Sequence, residues 1–186
     1  PTPPLLRSGR VDGRAQAEPV TPVLKQFPPL TAMTPELETL WQSLPLDGKP
    51  PQEQAELLNK AAAGALHYVP GLTGNSTTAG QAFALGSGVC QDYAHILLAL
   101  ARRSGFAARY CMGLVPGEGA THAWAELALP DGWHGYDPTF ACEAGEEHLR
   151  FAVGRDAADC RAERGIFRGA AEQTLHTEMR LDVRKG

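Results

Sequence analysis

Three side chains in the second half of the sequence have types that together can carry out nucleophilic catalysis at a thiol: Cys90, His122 and Asp137. A cysteine nucleophile needs a base within hydrogen-bonding reach, and the base needs a carboxylate or amide that fixes its orientation. Along the chain, the candidate nucleophile comes first, the candidate base second and the candidate orienting carboxylate third. They form a candidate triad for acyl transfer.

Cys90 lies in "GSGVCQDYAH", directly ahead of an apolar stretch with helical periodicity. A helix start offers unpaired N–H groups and a partial positive charge, which favour a thiolate over a thiol. Gly86 and Gly88 would let a substrate carbonyl approach the sulfur. The alternative is that Cys90 is a small apolar side chain packed at the helix start, since free cysteines are among the most buried residues.

His122 and Asp137 lie in two predicted strands joined by "LPDG", a turn signal. The two-residue period of "THAWAELAL" places His122 and Trp124 on one face. A two-residue hairpin loop would place Asp137 on that face, whereas a bulge at Gly132 would reverse it. The spacing leaves both geometries open.

The elements around these residues predict helices followed by strands. Helices are predicted over 34–44, 51–66 and 90–105, with at most one short helix, capped by Thr77 or Thr78, between the last two. Strands are predicted over 107–115, 121–129, 132–138 and 172–183. This order is typical of an α+β domain with an antiparallel sheet.

Residues 1–30 carry seven prolines among polar residues and are interpreted as an extended N-terminal arm or the remnant of an upstream domain. Residues 31–186 are interpreted as one catalytic domain. The four cysteines are widely spaced, which predicts buried free thiols rather than a zinc ribbon; a Cys142–Cys160 disulfide is a weaker alternative.

The composition excludes several partners. A formal charge of -4 with scattered lysines and arginines argues against nucleic acid, and no apolar run is long enough to cross a bilayer. A cytoplasmic protein is expected, and no oligomeric state is predicted. Asp92 and His95 share a helix face, which predicts a hydrogen bond supporting the site rather than a metal centre. No cofactor or metal is expected.

The segments "GSGVCQDYAHILLALARRSGFAARYCMGLV", "THAWAELALPDGWHGYDPT" and "FAVGRDAADC" resemble the bacterial transglutaminase-like cysteine peptidase family, over about residues 66–183. The resemblance implies a papain-like fold, in which a central helix bearing the nucleophile packs on an antiparallel sheet. It implies Cys90 as nucleophile, His122 as general base and Asp137 as the residue that orients it.

The oxyanion site departs from the crosslinking transglutaminases, whose upstream tryptophan indole holds the oxyanion, because this chain has no tryptophan between Trp41 and Cys90. The Cys90 backbone N–H is the natural first donor. The candidates for the second donor are Tyr68, Gln81 and Gln91, and Trp124 is a candidate wall of the cleft.

The resulting prediction is a cysteine peptidase or amidase that hydrolyses a peptide or protein substrate through an acyl-enzyme. Protein crosslinking by transamidation is an alternative, because the shape of the cleft chooses between water and an amine. A non-catalytic module that binds a peptide or protein on the same fold is the second alternative.

Overall fold

The computed structural model describes residues 20–117 and 121–160, and within them helices precede an antiparallel sheet. The helices are α1 Pro35–Gln42, α2 Pro51–Ala63, α3 Ala79–Leu85 and α4 Cys90–Arg103. The strands are β1 His67–Tyr68, β2 Ser87–Gly88, β3 Ala108–Leu114, β4 His122–Leu129, β5 Gly132–Asp137, β6 Cys142–Glu143 and β7 Leu149–Gly154. The predicted strand over 172–183 lies outside the described residues.

Helix α4 is the centre of the core. Every residue from Asp92 to Arg102 is buried, and the helix packs against α2 on one side and against β3 and β4 on the other. Its alanines allow close approach of the sheet, while leucines such as Leu97 and Leu98 fill the space between layers. Each fully buried leucine contributes roughly 1.5–3 kcal/mol relative to an exposed one. This packing fixes where the first residue of α4 lies.

The larger sheet has the strand order β6-β5-β4-β3-β7, and all neighbouring strands are antiparallel. Between β4 and β5, Leu129 lies opposite Gly132 and Ala125 lies opposite Tyr136. The connection is therefore a two-residue hairpin loop. With this parity, Asp137 lies on the same face as His122 and Trp124, as the first of the two hairpin geometries predicted.

The glycines ahead of Cys90 have backbone and packing roles. Gly86 ends α3 in the left-handed conformation, with φ of 63°. A Cβ on Gly88 would lie 2.7 Å from the Cβ of Asp92. Asp92 in turn accepts hydrogen bonds from the Val89 N–H (2.8 Å) and the Thr73 hydroxyl (2.6 Å), which tie the preceding loop to the start of α4. These contacts hold the backbone that presents Cys90.

Asp92 and His95, which were predicted to supply a hydrogen bond that supports the site, have different partners. His95 is fully buried, and its Nε2 accepts the Ala157 N–H at 3.2 Å. Burial, together with the charge of Arg102, lowers the pKa of His95 to about 3, so the ring is neutral in the core. Asp92 thus makes the predicted supporting hydrogen bonds, whereas the His95 ring turns towards the segment after β7 and bonds there.

The prediction of free rather than disulfide-bonded cysteines is confirmed, but only two of the four thiols are buried. All four cysteines are free; Cys111 and Cys160 are buried, Cys90 is half-buried and Cys142 is exposed. Burial raises the pKa of Cys160 to about 12, and it also raises the pKa of Cys111 well above the ordinary thiol value. Among the described residues, no helix has the length and hydropathy needed to cross a bilayer. The cytoplasmic location stays a prediction.

Arg102 joins several parts of the fold. Its guanidinium donates hydrogen bonds to the Thr31 hydroxyl and to the carbonyl oxygens of Leu24, Ala108 and Arg155. The side chain is buried, and burial lowers its pKa to about 10. Residues 20–31 of the predicted arm, which contain two short 3-10 helices, are thereby bonded to α4. The boundary predicted at residue 30 stays a prediction.

We expect Arg102→Ala to lower the free energy of unfolding by ~2–4 kcal/mol, because it leaves several carbonyl oxygens without a donor and opens a cavity. Urea unfolding measures this loss. Arg103→Ala is the matched control, since Arg103 is exposed and pairs with Glu38 at the surface. It should change the unfolding midpoint little. Equal losses in the two variants would contradict the proposed role of Arg102.

Candidate active site

Cys90 is the first residue of α4, and its side chain is half-buried. Strand β2, which pairs with β1 in parallel, ends two residues before Cys90, and Tyr68 of β1 lies opposite Gly88 of β2. The first N–H groups of a helix have no partner within the helix, so they are free to stabilise negative charge near the sulfur. Position and exposure both permit chemistry at this thiol.

His122 is the first residue of β4 and is 2% exposed. Its Nε2 lies 2.6 Å from Oδ2 of Asp137, and the ring also hydrogen bonds with the Cys90 thiol. Because Asp137 occupies Nε2, Nδ1 is the nitrogen left for the sulfur. Burial alone would lower the pKa of His122, but the hydrogen bonds and charges of Asp137 and Cys90 outweigh burial and raise it to about 9.

Asp137 ends β5 and is fully buried. Its Oδ1 accepts the backbone N–H groups of Thr139 (2.9 Å) and Phe140 (3.4 Å). Burial opposes ionisation, but the hydrogen bonds from His122 and from a second histidine, His148, lower the pKa of Asp137 to about 2. The carboxylate is therefore ionised at neutral pH and held in one orientation.

His148 is a residue of the site that the sequence analysis did not single out. It is 7% exposed, and its Nε2 lies 3.0 Å from the same Oδ2 of Asp137. The residues between β5 and β7 turn back over the sheet and bring it there. No periodic pattern marks this return, so the sequence carried no signal for it.

Aromatic rings surround the imidazole of His122. Trp124, expected to wall the cleft, is 1% exposed and packs beside His122 with ring centroids 6.3 Å apart. Phe140 is 50% exposed and stacks on the imidazole at 5.0 Å, with 16° between the ring planes. Trp124 therefore supports the ring from within the fold, while Phe140 covers it on the solvent side.

The three oxyanion candidates lie in different places. Gln81 caps α3, its Oε1 accepting the Thr78 N–H, and the Gln91 amide donates to the Gly74 carbonyl oxygen. Tyr68 is half-exposed, stacks on Tyr93 and lies on the strand pair that leads into Cys90. Of the three, only Tyr68 belongs to the strand pair next to the nucleophile, and a donor role stays a prediction for each.

His122, Asp137 and His148 offer three ligand atoms within 4.8 Å of one another. Ligands about 2.1 Å from a tetrahedral zinc ion stand about 3.4 Å apart. The 2.6 Å between His122 Nε2 and Asp137 Oδ2 is instead a hydrogen-bond length. His148 Nδ1 also accepts the Gly145 N–H, which places the ring proton on Nε2, facing Asp137. The geometry favours a hydrogen-bonded cluster.

One family model covers the part of the chain that contains the candidate triad. The model of the transglutaminase-like superfamily matches residues 39–138, which include Cys90, His122 and Asp137 but not His148. An uncharacterized protein of Mycobacterium leprae is 38% identical over 120 residues, covering 59% of this chain and 43% of that protein. The match thus spans less than half the length of this relative.

Two solved structures are similar in fold. A candidate cysteine protease from Cytophaga hutchinsonii matches with a TM-score of 0.66 and 22% identity, over 74% of this chain and 47% of that chain. The periplasmic domain of TgpA from Pseudomonas aeruginosa, bound to ethylmercury, matches with a TM-score of 0.50 and 25% identity, over 63% of this chain and 48% of that chain. The predicted papain-like α+β fold is confirmed.

Proposed function

The chain belongs to the transglutaminase-like superfamily, and we propose that it is a thiol-dependent enzyme that hydrolyses amide bonds in a peptide or protein. The observation that carries this proposal is the hydrogen-bonded series from Cys90 through His122 to Asp137. It supplies a nucleophile, a base and an orienting carboxylate in contact with one another.

In the first half-reaction, His122 already holds the proton from Cys90, because its pKa of about 9 keeps it protonated at neutral pH, and the thiolate sulfur attacks the amide carbonyl carbon. A C–S bond forms and the carbonyl π electrons move to oxygen, which the Cys90 backbone N–H can stabilise. The oxygen electrons then return, the C–N bond breaks, and the imidazolium gives its proton to the leaving amine. The product of this step is a thioester between Cys90 and the acyl group.

In the second half-reaction, neutral His122 takes a proton from water, whose oxygen attacks the thioester carbon. The C–S bond breaks, the carboxylic acid leaves, and the proton returns to the sulfur. Asp137 stabilises the imidazolium in both halves and stays ionised throughout, as its low pKa of about 2 requires. Phe140 shields the imidazole face, which limits competition by water for these hydrogen bonds.

Alkylation by iodoacetamide tests the state of the nucleophile without a substrate. We expect Cys90 to react at least about 10-fold faster than Cys142 at pH 7, because a thiolate beside His122 is the reactive form. Cys142 is the internal control: it is exposed, but burial and the charges of Asp137 and Glu143 raise its pKa. Mass spectrometry of tryptic peptides against time measures both rates.

The advantage of Cys90 should disappear in His122→Ala. Equal rates at Cys90 and Cys142 in the unaltered protein would contradict the proposal and favour a binding module. Turnover of a fluorogenic peptide library, with and without dansylcadaverine, separates the fates of the acyl group. Dansyl incorporation into product that exceeds hydrolysis would indicate transamidation instead.

A further inference from the structure

We propose that His148 is a positioning residue, which donates its Nε2–H to Asp137 and thereby shares the carboxylate oxygen that holds His122. This inference rests on the proposed function and adds a residue to its machinery. Both histidine Nε2 atoms bond to the same atom, Oδ2, at 2.6 Å for His122 and 3.0 Å for His148. His148 lies outside residues 39–138, the region that the family pattern matches.

The backbone fixes which nitrogen of His148 carries the proton. The Gly145 N–H donates to Nδ1 at 3.2 Å, so Nδ1 must present a lone pair. In the neutral ring the proton is then on Nε2, which faces Asp137. The Trp124 ring packs edge-on against His148, with centroids 5.2 Å apart and an interplanar angle of 76°, and holds the imidazole in this plane.

His148 completes the hydrogen bonding of a buried carboxylate. An ionised carboxylate has about four acceptor sites. Two backbone N–H groups bond to Oδ1 of Asp137, and the two histidines bond to Oδ2. Removing His148 would leave one buried acceptor site of Oδ2 without a donor. His122 would then be the single donor to Oδ2 and would interact more strongly with its negative charge.

The charge that His122 experiences therefore depends on this sharing. The groups that face or neighbour His122 are the Cys90 thiol from α4, Asp137 from β5 and His148 ahead of β7. Along β4 itself, Glu126 is neutralised by ion pairs with Arg109 and Arg150. Of these groups, only His148 donates a hydrogen bond to the same Asp137 oxygen as His122. This second hydrogen bond weakens the stabilisation of the His122 imidazolium by Asp137. Its loss should make the imidazolium harder to deprotonate and slower to give a proton to the leaving amine.

The test compares three variants of His148 in the full chain. His148→Phe keeps a ring against Trp124 but has no donor, and His148→Asn has an amide too short to reach Asp137. His148→Gln carries an amide N–H near the position of Nε2 and should restore the hydrogen bond. His134→Gln is the matched control, because His134 pairs with Asp131 at the hairpin, outside the site.

The primary measurement is the NMR titration of the His122 ring, which needs no substrate. We expect His148→Phe and His148→Asn to raise its midpoint by about half to one pH unit. His148→Gln and His134→Gln should leave the midpoint unchanged. Where the unaltered protein hydrolyses a library peptide, kcat should fall about 5- to 10-fold in His148→Phe, with KM within about 2-fold.

An unmoved His122 midpoint in both His148→Phe and His148→Asn would overturn the inference, even if thermal unfolding showed lower stability. An equal shift in His148→Gln would overturn it too, since the donor would then be irrelevant. Failure of the proposed function has a different signature: the unaltered protein cleaves no peptide and Cys90 shows no preferential alkylation, while the His122 titration still reports on His148.

Discussion

Cys90→Ala is expected to abolish amide hydrolysis, with kcat/KM reduced by about 10⁴-fold or more. The sulfur is the atom that bonds to the acyl group, so the thioester cannot form without it. The side chain is half-buried at the first position of α4, so loss of one atom should disturb packing little. Peptide-library turnover by purified variant and unaltered protein measures the effect.

Cys142→Ala is the matched control for Cys90→Ala. Cys142 is exposed on β6, where its Cα lies opposite that of Asp137. Cys142 is thus a second accessible thiol near the site. It lies on β6, however, which pairs with the edge of β5 that faces away from β4 and His122. Full activity in Cys142→Ala, together with loss of activity in Cys90→Ala, would show that Cys90 is the thiol that reacts with the substrate. Persistence of hydrolysis in Cys90→Ala would refute a thiol mechanism.

Asp137→Asn should lower kcat about 10³- to 10⁴-fold while leaving the chain folded. The backbone N–H groups of Thr139 and Phe140 require an acceptor at Oδ1, so the new NH2 group must take the place of Oδ2. There it meets the N–H of His122 and that of His148. Two N–H groups cannot hydrogen bond to each other, so His122 must carry its proton on Nδ1 instead of Nε2. Nδ1 is the nitrogen that faces Cys90, and once it is protonated it has no lone pair to accept the Cys90 proton.

The same substitution should change the titration of His122. Asp137 raises the pKa of His122 to about 9 through its hydrogen bond and its charge, against the effect of burial. Without the carboxylate charge, burial dominates and the imidazolium is lost at lower pH. The NMR midpoint of His122 should fall by more than about two pH units.

Asp131→Asn provides the comparison for Asp137→Asn, because Asp131 also bonds to a histidine, His134, but at the exposed hairpin. It should leave both kcat and the His122 midpoint unchanged. An Asp137→Asn variant with normal activity would contradict the assignment of Asp137. So would a variant in which the His122 midpoint stays near 9.

The sequence alone determined the elements that carry the triad. Thr34 caps α1, with its hydroxyl accepting the Leu37 N–H, and Cys90 begins α4, as local residue preferences predicted. The two-residue period of β4 also predicted that His122 and Trp124 share a face, whereas the face of Asp137 stayed open until the structure showed a two-residue hairpin loop. These features depend on neighbours a few residues apart, where periodicity and capping act directly.

Other features became visible only in the tertiary structure. The burial of Trp124, the exposure of Cys142, the hydrogen bonds of Arg102 and the position of His148 all depend on how loops return over the packed layers. His148 follows Asp137 by 11 residues of mostly irregular chain, and no repeating pattern encodes where such a segment ends. Local periodicity specifies which face a side chain occupies, whereas long-range packing decides which other side chain it meets.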